Sequence, residues 1–211
     1  MQERTWMTDI SLPNPPARRF LLLHGLDNYR PQGHWMWWLA ESLRRRGEQV
    51  LYPQFPAPGQ PSLETWTALL HSELAQLGDQ ERVVVAHSLG TALWLRAAQT
   101  LPDELRVHRV LLVSPLGAQA FCAENRNEEF AVPDVDPERV AAASGKPRAV
   151  ISTTDPYTPA DPSAWADALG VQVDFLPDAG HITPGDGYGP WPGVLDWCLD
   201  DSVPVRAVST S

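Results

Sequence analysis

Short apolar runs recur along the chain, and each is typical of a β-strand that is buried on both faces of a sheet. Six such runs lie at residues 19–24, 48–52, 83–85, 107–114, 148–153 and 171–176. Between them, apolar residues recur every three or four positions, which predicts amphipathic helices. Since strands that alternate with helices form parallel sheets, we predict an α/β fold with about six mostly parallel strands and helices on both faces.

The boundaries of two predicted helices carry clear signals. Ser62 is expected to cap a helix whose apolar face covers residues 63–77. Asp161 and Pro162 combine an N-cap with a first-turn proline, which predicts a helix through residue 169. These signals fix where two of the helices should begin.

Other stretches show no clear period. Residues 1–17 are expected to form an N-terminal arm, residues 18–200 a single domain, and residues 201–211 a tail. Within the domain, residues 115–137 mix acidic, amide and aromatic side chains without a helical or strand pattern. A loop of this length in a compact domain is typical of a lid or a binding loop.

The third apolar run leads into the sequence VVVAHSLG at residues 83–90 and then into a helical pattern. A serine at the corner between a buried strand and a helix is typical of a nucleophile elbow, whose usual pattern is G-x-S-x-G. Ala86 stands at the first glycine position, and both Ala86 and Gly90 are small enough to let strand and helix pass closely. The alternative is that Ser88 is an ordinary helix N-cap.

A serine nucleophile needs a base that takes its proton and an acid that holds the base in one tautomer. In an open parallel sheet these groups gather at the carboxyl ends of strands, in the chain order Ser, Asp, His. Asp155 follows the fifth run and His181 the sixth, so we expect them to form a triad with Ser88. An Asp-Pro turn is the alternative for Asp155, and Asp178 and Asp174 are rival acids; a surface position is the alternative for His181.

The groups that would stabilise an oxyanion should lie next to the nucleophile. We expect the backbone N–H of Leu89 to act together with that of Leu26, in the loop after the first strand. His24 in the same loop is expected to shape the backbone rather than to transfer protons.

Two further residues are pocket candidates. His87 adjoins the nucleophile and is expected either to line a pocket or to belong to the core. Trp191 follows His181 by ten positions and could line the pocket. Trp35 and Trp38 are expected to pack in the core rather than to contact substrate.

Composition limits the possible partners. The 211 residues are 43% hydrophobic and 20% charged, which is typical of one globular domain. The net charge of −10 argues against nucleic acid or an anionic membrane as a partner. The two cysteines, Cys122 and Cys198, are expected to be free thiols in a reducing compartment. With no hydrophobic signal core and no run of the ~18–20 apolar residues that span a bilayer, a cytoplasmic location is expected.

Cofactor signatures are missing from the sequence. The first strand is not followed by G-x-G-x-x-G, and the P-loop pattern G-x-x-x-x-G-K-[ST] does not occur. The cysteines have no metal-like spacing. We therefore expect neither a cofactor nor a metal.

Five segments together resemble one family, the small α/β-hydrolases related to retinoblastoma-binding protein nine and bacterial YdeN. The segments are HGLDNYRPQGHWMWWL, LYPQFPAPGQPSLETW, VVVAHSLG, STTDPY and AGHITPGDGYGPWPG, which occur in the family's order between residues 18 and 199. The resemblance implies a compact α/β-hydrolase fold and a serine hydrolase with Ser88, Asp155 and His181 as its triad. Residues 115–137 match the family least well, so the resemblance leaves substrate choice open.

The expected function is therefore hydrolysis of a small carboxylic ester or amide, through an acyl-enzyme on Ser88. Two alternatives stay open at this stage. One is a binding protein that keeps the fold without turnover. The other is acyl transfer to an acceptor other than water, which shares the same first half-reaction.

Overall fold

One parallel sheet runs through the protein, and its strands are the apolar runs of the sequence. The computed structural model describes residues 18–122, 124, 126–132 and 135–208. The strands follow the spatial order β2-β1-β3-β4-β5-β6, and every neighbouring pair is parallel. They are β1 Arg18–Leu23, β2 Gln49–Leu51, β3 Glu81–His87, β4 Arg109–Val113, β5 Lys146–Ser152 and β6 Gln172–Leu176. The predicted α/β architecture is confirmed, with strand ends within two residues of those expected.

Helices cover both faces of this sheet. They are α1 Trp35–Arg44, α2 Leu63–Gln76, α3 Leu89–Ala98, α4 Pro137–Ser144, α5 Pro162–Leu169 and α6 Pro192–Leu199. Helices α1 and α6 pack on one face, and the other four pack on the opposite face. Successive strand residues point to opposite faces, so Phe20 belongs to one core layer and Leu21 to the other. This two-sided burial explains why the strands read as unbroken apolar runs.

The predicted helix caps are present. Ser62 Oγ accepts a hydrogen bond from the backbone N–H of Thr65 (3.5 Å), and the Asp161 carboxylate accepts from that of Ala164 (3.0 Å). Helix α4 was not among the expectations, although its start at Asp136 repeats the Asp-Pro signal of α5. Its buried face consists mostly of small side chains, which give only a weak hydrophobic period.

The described residues of the segment 115–137 contact the core. Among them are two short 3₁₀ turns, Ala118–Ala120 and Glu128–Phe130. Phe130 is fully buried, with its ring 5.3 Å from that of Trp66. Asn127 holds the turn, since its amide accepts from the Cys122 N–H (3.1 Å) and donates to the carbonyl of residue 120 (3.0 Å).

The expected N-terminal arm, residues 1–17, lies outside the described residues, as do residues 209–211. The described part of the expected tail, residues 201–208, packs against the domain. Val205 is buried, and its backbone N–H donates to the Asp174 carboxylate (2.8 Å). The carbonyl of Arg206 accepts a hydrogen bond from Trp191 Nε1 (2.6 Å). The predicted domain boundaries stay a prediction.

Gly90 lies where α3 crosses the end of β1. A Cβ atom at this position would overlap the carbonyl oxygen of Leu23 and lie 2.9 Å from that of His24. Because both obstacles are backbone atoms, they cannot rotate away. Gly90, which was predicted to let the elbow strand and its helix pass closely, thus permits the close approach of α3 to β1.

We predict that Gly90→Ala lowers the free energy of unfolding by about 1–3 kcal/mol, despite the better helix propensity of alanine. Urea denaturation measures this change. Gly33→Ala is the matched control, since a Cβ there would meet nothing within 4 Å. Equal stability of Gly90→Ala and the wild type would contradict the prediction.

Candidate active site

Ser88 occupies a strained corner between β3 and α3. Its backbone has φ 54° and ψ −122°, a conformation that residues other than glycine adopt at a cost. The Ser88 N–H donates to the carbonyl of Val113 (3.0 Å), and the Ser88 carbonyl accepts from the N–H of Thr91 (2.8 Å). The Ser88 side chain makes no capping hydrogen bond to α3. The interpretation of Ser88 as an ordinary N-cap is therefore wrong, and its hydroxyl can form hydrogen bonds with groups outside the helix.

Three polar side chains from separate strand ends meet at this corner. His181 Nε2 lies 2.8 Å from Ser88 Oγ, and His181 Nδ1 lies 2.8 Å from Asp155 Oδ2. The Asp155 side chain is completely buried, and its other carboxylate oxygen accepts from the N–H of Tyr157 (2.9 Å). The structure thus brings the three predicted residues into one hydrogen-bonded row. In general, such a row lets an imidazole withdraw the proton of a serine hydroxyl.

The two rival acids have other surroundings. Asp174 forms an ion pair with Arg148 (3.0 Å) and accepts from the backbone of Val205. Asp178 is exposed, with a backbone φ of 50°. The carboxylate that contacts His181 belongs to Asp155.

A set of hydroxyl groups fixes the loop before His181. Thr153 Oγ1 accepts from the N–H of residue 178 (3.1 Å), Ser152 Oγ from that of residue 179 (3.1 Å) and Thr154 Oγ1 from that of residue 180 (3.2 Å). The same short segment of chain therefore carries Asp155 and holds the backbone that carries His181. This role was not among the predictions, although the run of three hydroxyl residues before Asp155 was the available signal.

His87 supports His181 from the other side. Its Nε2 lies 3.0 Å from the carbonyl oxygen of His181, and because a carbonyl only accepts, Nε2 donates. The ring is 3% exposed and stands edge-on to Trp35 at 5.6 Å. Burial, and then the neighbouring His181 and His34, lower the pKa of His87 well below its ordinary value. His87 is thus a neutral wall residue, which agrees with both interpretations offered from the sequence.

A cavity of about 480 Å³ opens onto Ser88. Its walls come from residues 25–29 after β1, from His34 and His87, and from the segment 115–137. That segment contributes Leu116, Ala120 and Asn127, so the expected binding loop does line the cavity.

Trp191 does not line this cavity. It is fully buried, stands edge-on to Trp35 at 5.2 Å, and donates to the backbone carbonyl of Arg206. The prediction that Trp191 faces the pocket is therefore wrong, because the tryptophan packs into the core beneath α1 and α6. Trp35 is also fully buried and Trp38 packs against the same core, as expected for both.

Leu26 and Leu89 both line the cavity beside Ser88. Leu89 is the first residue of α3, where backbone N–H groups have no partner within the helix. The loop of Leu26 lies close to the nucleophile, since a Cβ on Gly25 would lie 2.9 Å from the Cβ of Ser88. Their assignment as oxyanion donors remains a prediction.

Two further histidines near the cavity are buried and neutral. His24 Nδ1 contacts the carbonyl of Gly25 (2.9 Å), and its Nε2 accepts from the N–H of Phe55 (2.9 Å), so it shapes the loop as expected. His34 caps α1 through Nδ1, which accepts from the N–H of Met36 (3.1 Å). Burial is the main cause that lowers the pKa of each histidine to about 4. The cap was not among the predictions, because histidine is not one of the usual N-cap residues.

The fold and this site together define an α/β-hydrolase. The chain matches the serine hydrolase family over residues 20–198 and belongs to that family. It is a hydrolase, and the sequence resemblance described above is confirmed. Within the part of the chain that the structure describes, no helix is both long and apolar enough to cross a membrane.

Named relatives place the chain more closely. It is 29% identical to the Bacillus subtilis protein YdeN, which is named as a hydrolase. The alignment spans 186 residues and covers 85% of this chain and 94% of YdeN. The crystal structure of the B. subtilis ydeN product gives a TM-score of 0.75 at 24% identity, covering 86% of this chain and 97% of that one. A YdeN-like hydrolase from Pectobacterium atrosepticum gives 0.65 at 21% identity (89% and 93% covered). An esterase domain from Rhodothermus marinus gives 0.63 at 16% identity (91% and 90% covered).

The buried neutral histidines predict a pH-dependent stability. In the folded state the pKa values of His24 and His34 lie at about 4, below the ordinary value of 6.5. The unfolded chain therefore binds more protons between these values, so stability is full above pH 6.5 and falls as the pH drops toward 4. We expect the free energy of unfolding in urea to be lower at pH 5 than at pH 7 by more than about 2 kcal/mol.

The variant His34→Asn keeps a capping oxygen and should reduce this pH dependence. His108→Asn, which changes an exposed histidine, should leave it unchanged. Equal unfolding free energies at pH 5 and pH 7 would show that these histidines titrate normally.

Proposed function

We propose that the protein is a carboxylesterase-like serine hydrolase with Ser88, His181 and Asp155 as its catalytic triad. The observation that carries the proposal is the hydrogen-bonded row, with 2.8 Å from Ser88 Oγ to His181 Nε2 and 2.8 Å from His181 Nδ1 to Asp155 Oδ2. A serine with positive φ at a strand-helix corner supports it as well.

The proposed reaction proceeds through two half-reactions. His181 Nε2 takes the hydroxyl proton as Ser88 Oγ attacks the acyl carbonyl carbon, and His181 then gives that proton to the departing alcohol. In the second half-reaction His181 takes a proton from water as the water oxygen attacks the acyl-enzyme carbonyl. His181 then returns this proton to Ser88 Oγ as the bond from Ser88 Oγ to the acyl carbon breaks and the acid leaves. The buried Asp155 carboxylate stabilises the imidazolium that forms in each half-reaction.

Backbone N–H groups are proposed to hold the developing oxyanion. The N–H of Leu89 opens α3, so the partial positive charge of the helix N-terminus favours the negative oxygen. The N–H of Leu26 would supply the second donor, from the loop that Gly25 keeps against Ser88.

A small, uncharged acyl ester is the proposed substrate. The cavity of about 480 Å³ suits a compact ligand. Among the described residues that line the cavity, the acidic side chain is Asp27, which is paired with Arg126 at 3.1 Å, and burial keeps the wall residues His34 and His87 neutral. The esterase domain with the same fold is an example of ester hydrolysis on this scaffold.

We predict that a fluorophosphonate probe labels Ser88 and that the wild type hydrolyses p-nitrophenyl esters. Ser88→Ala should abolish labelling and lower ester turnover by at least about 10³-fold, because it removes the hydroxyl that lies 2.8 Å from His181 Nε2. Ser202→Ala, a change at an exposed serine, serves as the control. If the wild type reacts no faster than Ser88→Ala, the proposed mechanism is wrong.

The acid can be tested with a pair of isosteric variants. Asp155→Asn should lower kcat by up to about 10⁴-fold, since the amide favours the wrong tautomer of His181. Asp178→Asn should stay within about twofold of the wild type, because Asp178 lies on the surface. A near-normal Asp155→Asn beside an inactive Asp178→Asn would move the acid to Asp178.

Release of free acid separates hydrolysis from acyl transfer. Quantitative conversion of ester to acid in water identifies hydrolysis. Product that appears only with an added acceptor alcohol or amine would identify a transferase.

A further inference from the structure

His34 is a neutral hydrogen-bond donor in the wall of the active-site cavity. Its Nδ1 accepts the N–H of Met36 at 3.1 Å, so the single proton of the neutral ring must reside on Nε2. The pKa of about 4, lowered mainly by burial, keeps the ring in this form near neutral pH. The capping bond of α1 therefore sets the tautomer.

The Nε2–H of His34 has no acceptor among the described residues of the protein. The side chain is 95% buried yet lines the same cavity as Ser88. Nε2 is not among the fully enclosed polar atoms that lack a partner in the described chain, so it keeps contact with accessible space. A buried donor of this kind favours a ligand that brings an acceptor.

Asn28 supplies a second donor to the cavity. Its Oδ1 accepts the backbone N–H of Arg30 at 2.8 Å, which assigns the oxygen and leaves the NH₂ group on the other side. Within the described residues this NH₂ group has no acceptor, and Asn28 is 9% exposed and lines the cavity. Two donors that have no acceptor in the described part of the chain therefore border the space that a substrate would fill.

We propose that His34 and Asn28 form a donor subsite that binds an uncharged oxygen of the substrate other than the scissile carbonyl. This rests on the proposed esterase function and narrows its substrate class to esters with an ether, hydroxyl or keto oxygen. Both donors are neutral, so the subsite suits an uncharged oxygen better than a substrate carboxylate, whose burial would need a positive partner.

The test compares substrates that differ by one oxygen for one methylene. On the acyl side, p-nitrophenyl methoxyacetate is compared with p-nitrophenyl butyrate; on the alcohol side, 2-methoxyethyl acetate is compared with butyl acetate. The ratio of kcat/KM within each pair is measured in the wild type and in each variant. Because intrinsic ester reactivity is the same for all variants, a change in the ratio reports the subsite alone.

His34→Ser keeps an oxygen that can cap α1 and removes the imidazole donor. Asn28→Asp keeps the acceptor for Arg30 and replaces the NH₂ group with an acceptor. We expect each variant to lower the ether-to-methylene ratio by about fivefold or more in at least one pair. His108→Ser is the matched control, since His108 Nδ1 also accepts a backbone N–H (3.0 Å from Arg82) but is exposed and outside the cavity.

Unchanged kcat/KM ratios in both pairs would overturn the proposal. This includes the case in which a variant lowers kcat/KM equally for both esters of each pair. A binding measurement keeps this test independent of turnover. In the Ser88→Ala protein, which should not consume the esters, the Nε2–H resonance of His34 is followed by ¹⁵N-edited NMR. We expect a downfield shift with ethyl methoxyacetate or 2-methoxyethyl acetate that ethyl butyrate and butyl acetate do not produce.

A protein without esterase activity would refute the proposed function, while the NMR titration would still decide on the subsite. Identical NMR responses to the ether and hydrocarbon esters on both sides would overturn the subsite. If the enzyme is active, that result would not argue against the proposed triad.

Discussion

The left-handed backbone at Ser88 is the constraint on which the site depends. A serine in this conformation costs of order 1–3 kcal/mol, which the surrounding fold must offset. It is held by the bond from the Ser88 N–H to Val113 and by two bonds from Thr91 to the Ser88 carbonyl. Gly90 permits the close approach of α3 to β1 that makes this corner possible. The strain exposes the hydroxyl on the side where the neighbouring strands end.

The parallel sheet brings the remaining polar groups to the same edge. Strands β3 and β5 are both neighbours of β4 and run in the same direction, so their carboxyl ends lie at the same edge of the sheet. Ser88 and Asp155, which follow these strands, therefore lie on one side of the molecule. The hydroxyl group of Ser152 is buried and accepts from two backbone N–H groups, one of them in the loop of His181. The segment that carries Asp155 therefore also holds the loop that carries His181, and this contact helps to fix the distance between the two side chains.

Much of this arrangement could be predicted from the sequence, for a physical reason. Apolar runs locate strands buried on both faces, and the topology of a parallel sheet then places residues such as Asp155 and His181 at its carboxyl edge. The direction of a side chain that belongs to no regular element is not fixed in this way. Trp191 precedes α6 and turns into the core, and its helical spacing with the apolar residues Val194, Leu195 and Cys198 was the available signal for that orientation.

Other features escaped prediction because their signals are weak or unusual. Helix α4 is short and buries small residues, so its period is faint. His34 caps a helix with a ring nitrogen, a use that side-chain preferences do not anticipate. Within the segment 115–137, Phe130 packs against Trp66, a contact between residues distant in sequence.

The chain beyond α6 completes the structure rather than trailing from it. Arg148 donates to the carbonyl of Val203 and pairs with Asp174, which in turn accepts from Val205. Removing this stretch would leave one carboxylate oxygen of a nearly buried ion pair without its backbone donor and would open the apolar layer under Trp191 to water. Val205 and Val208 thus belong to the hydrophobic layer on the α1 and α6 face, and a variant truncated after α6 would lack that part of the core.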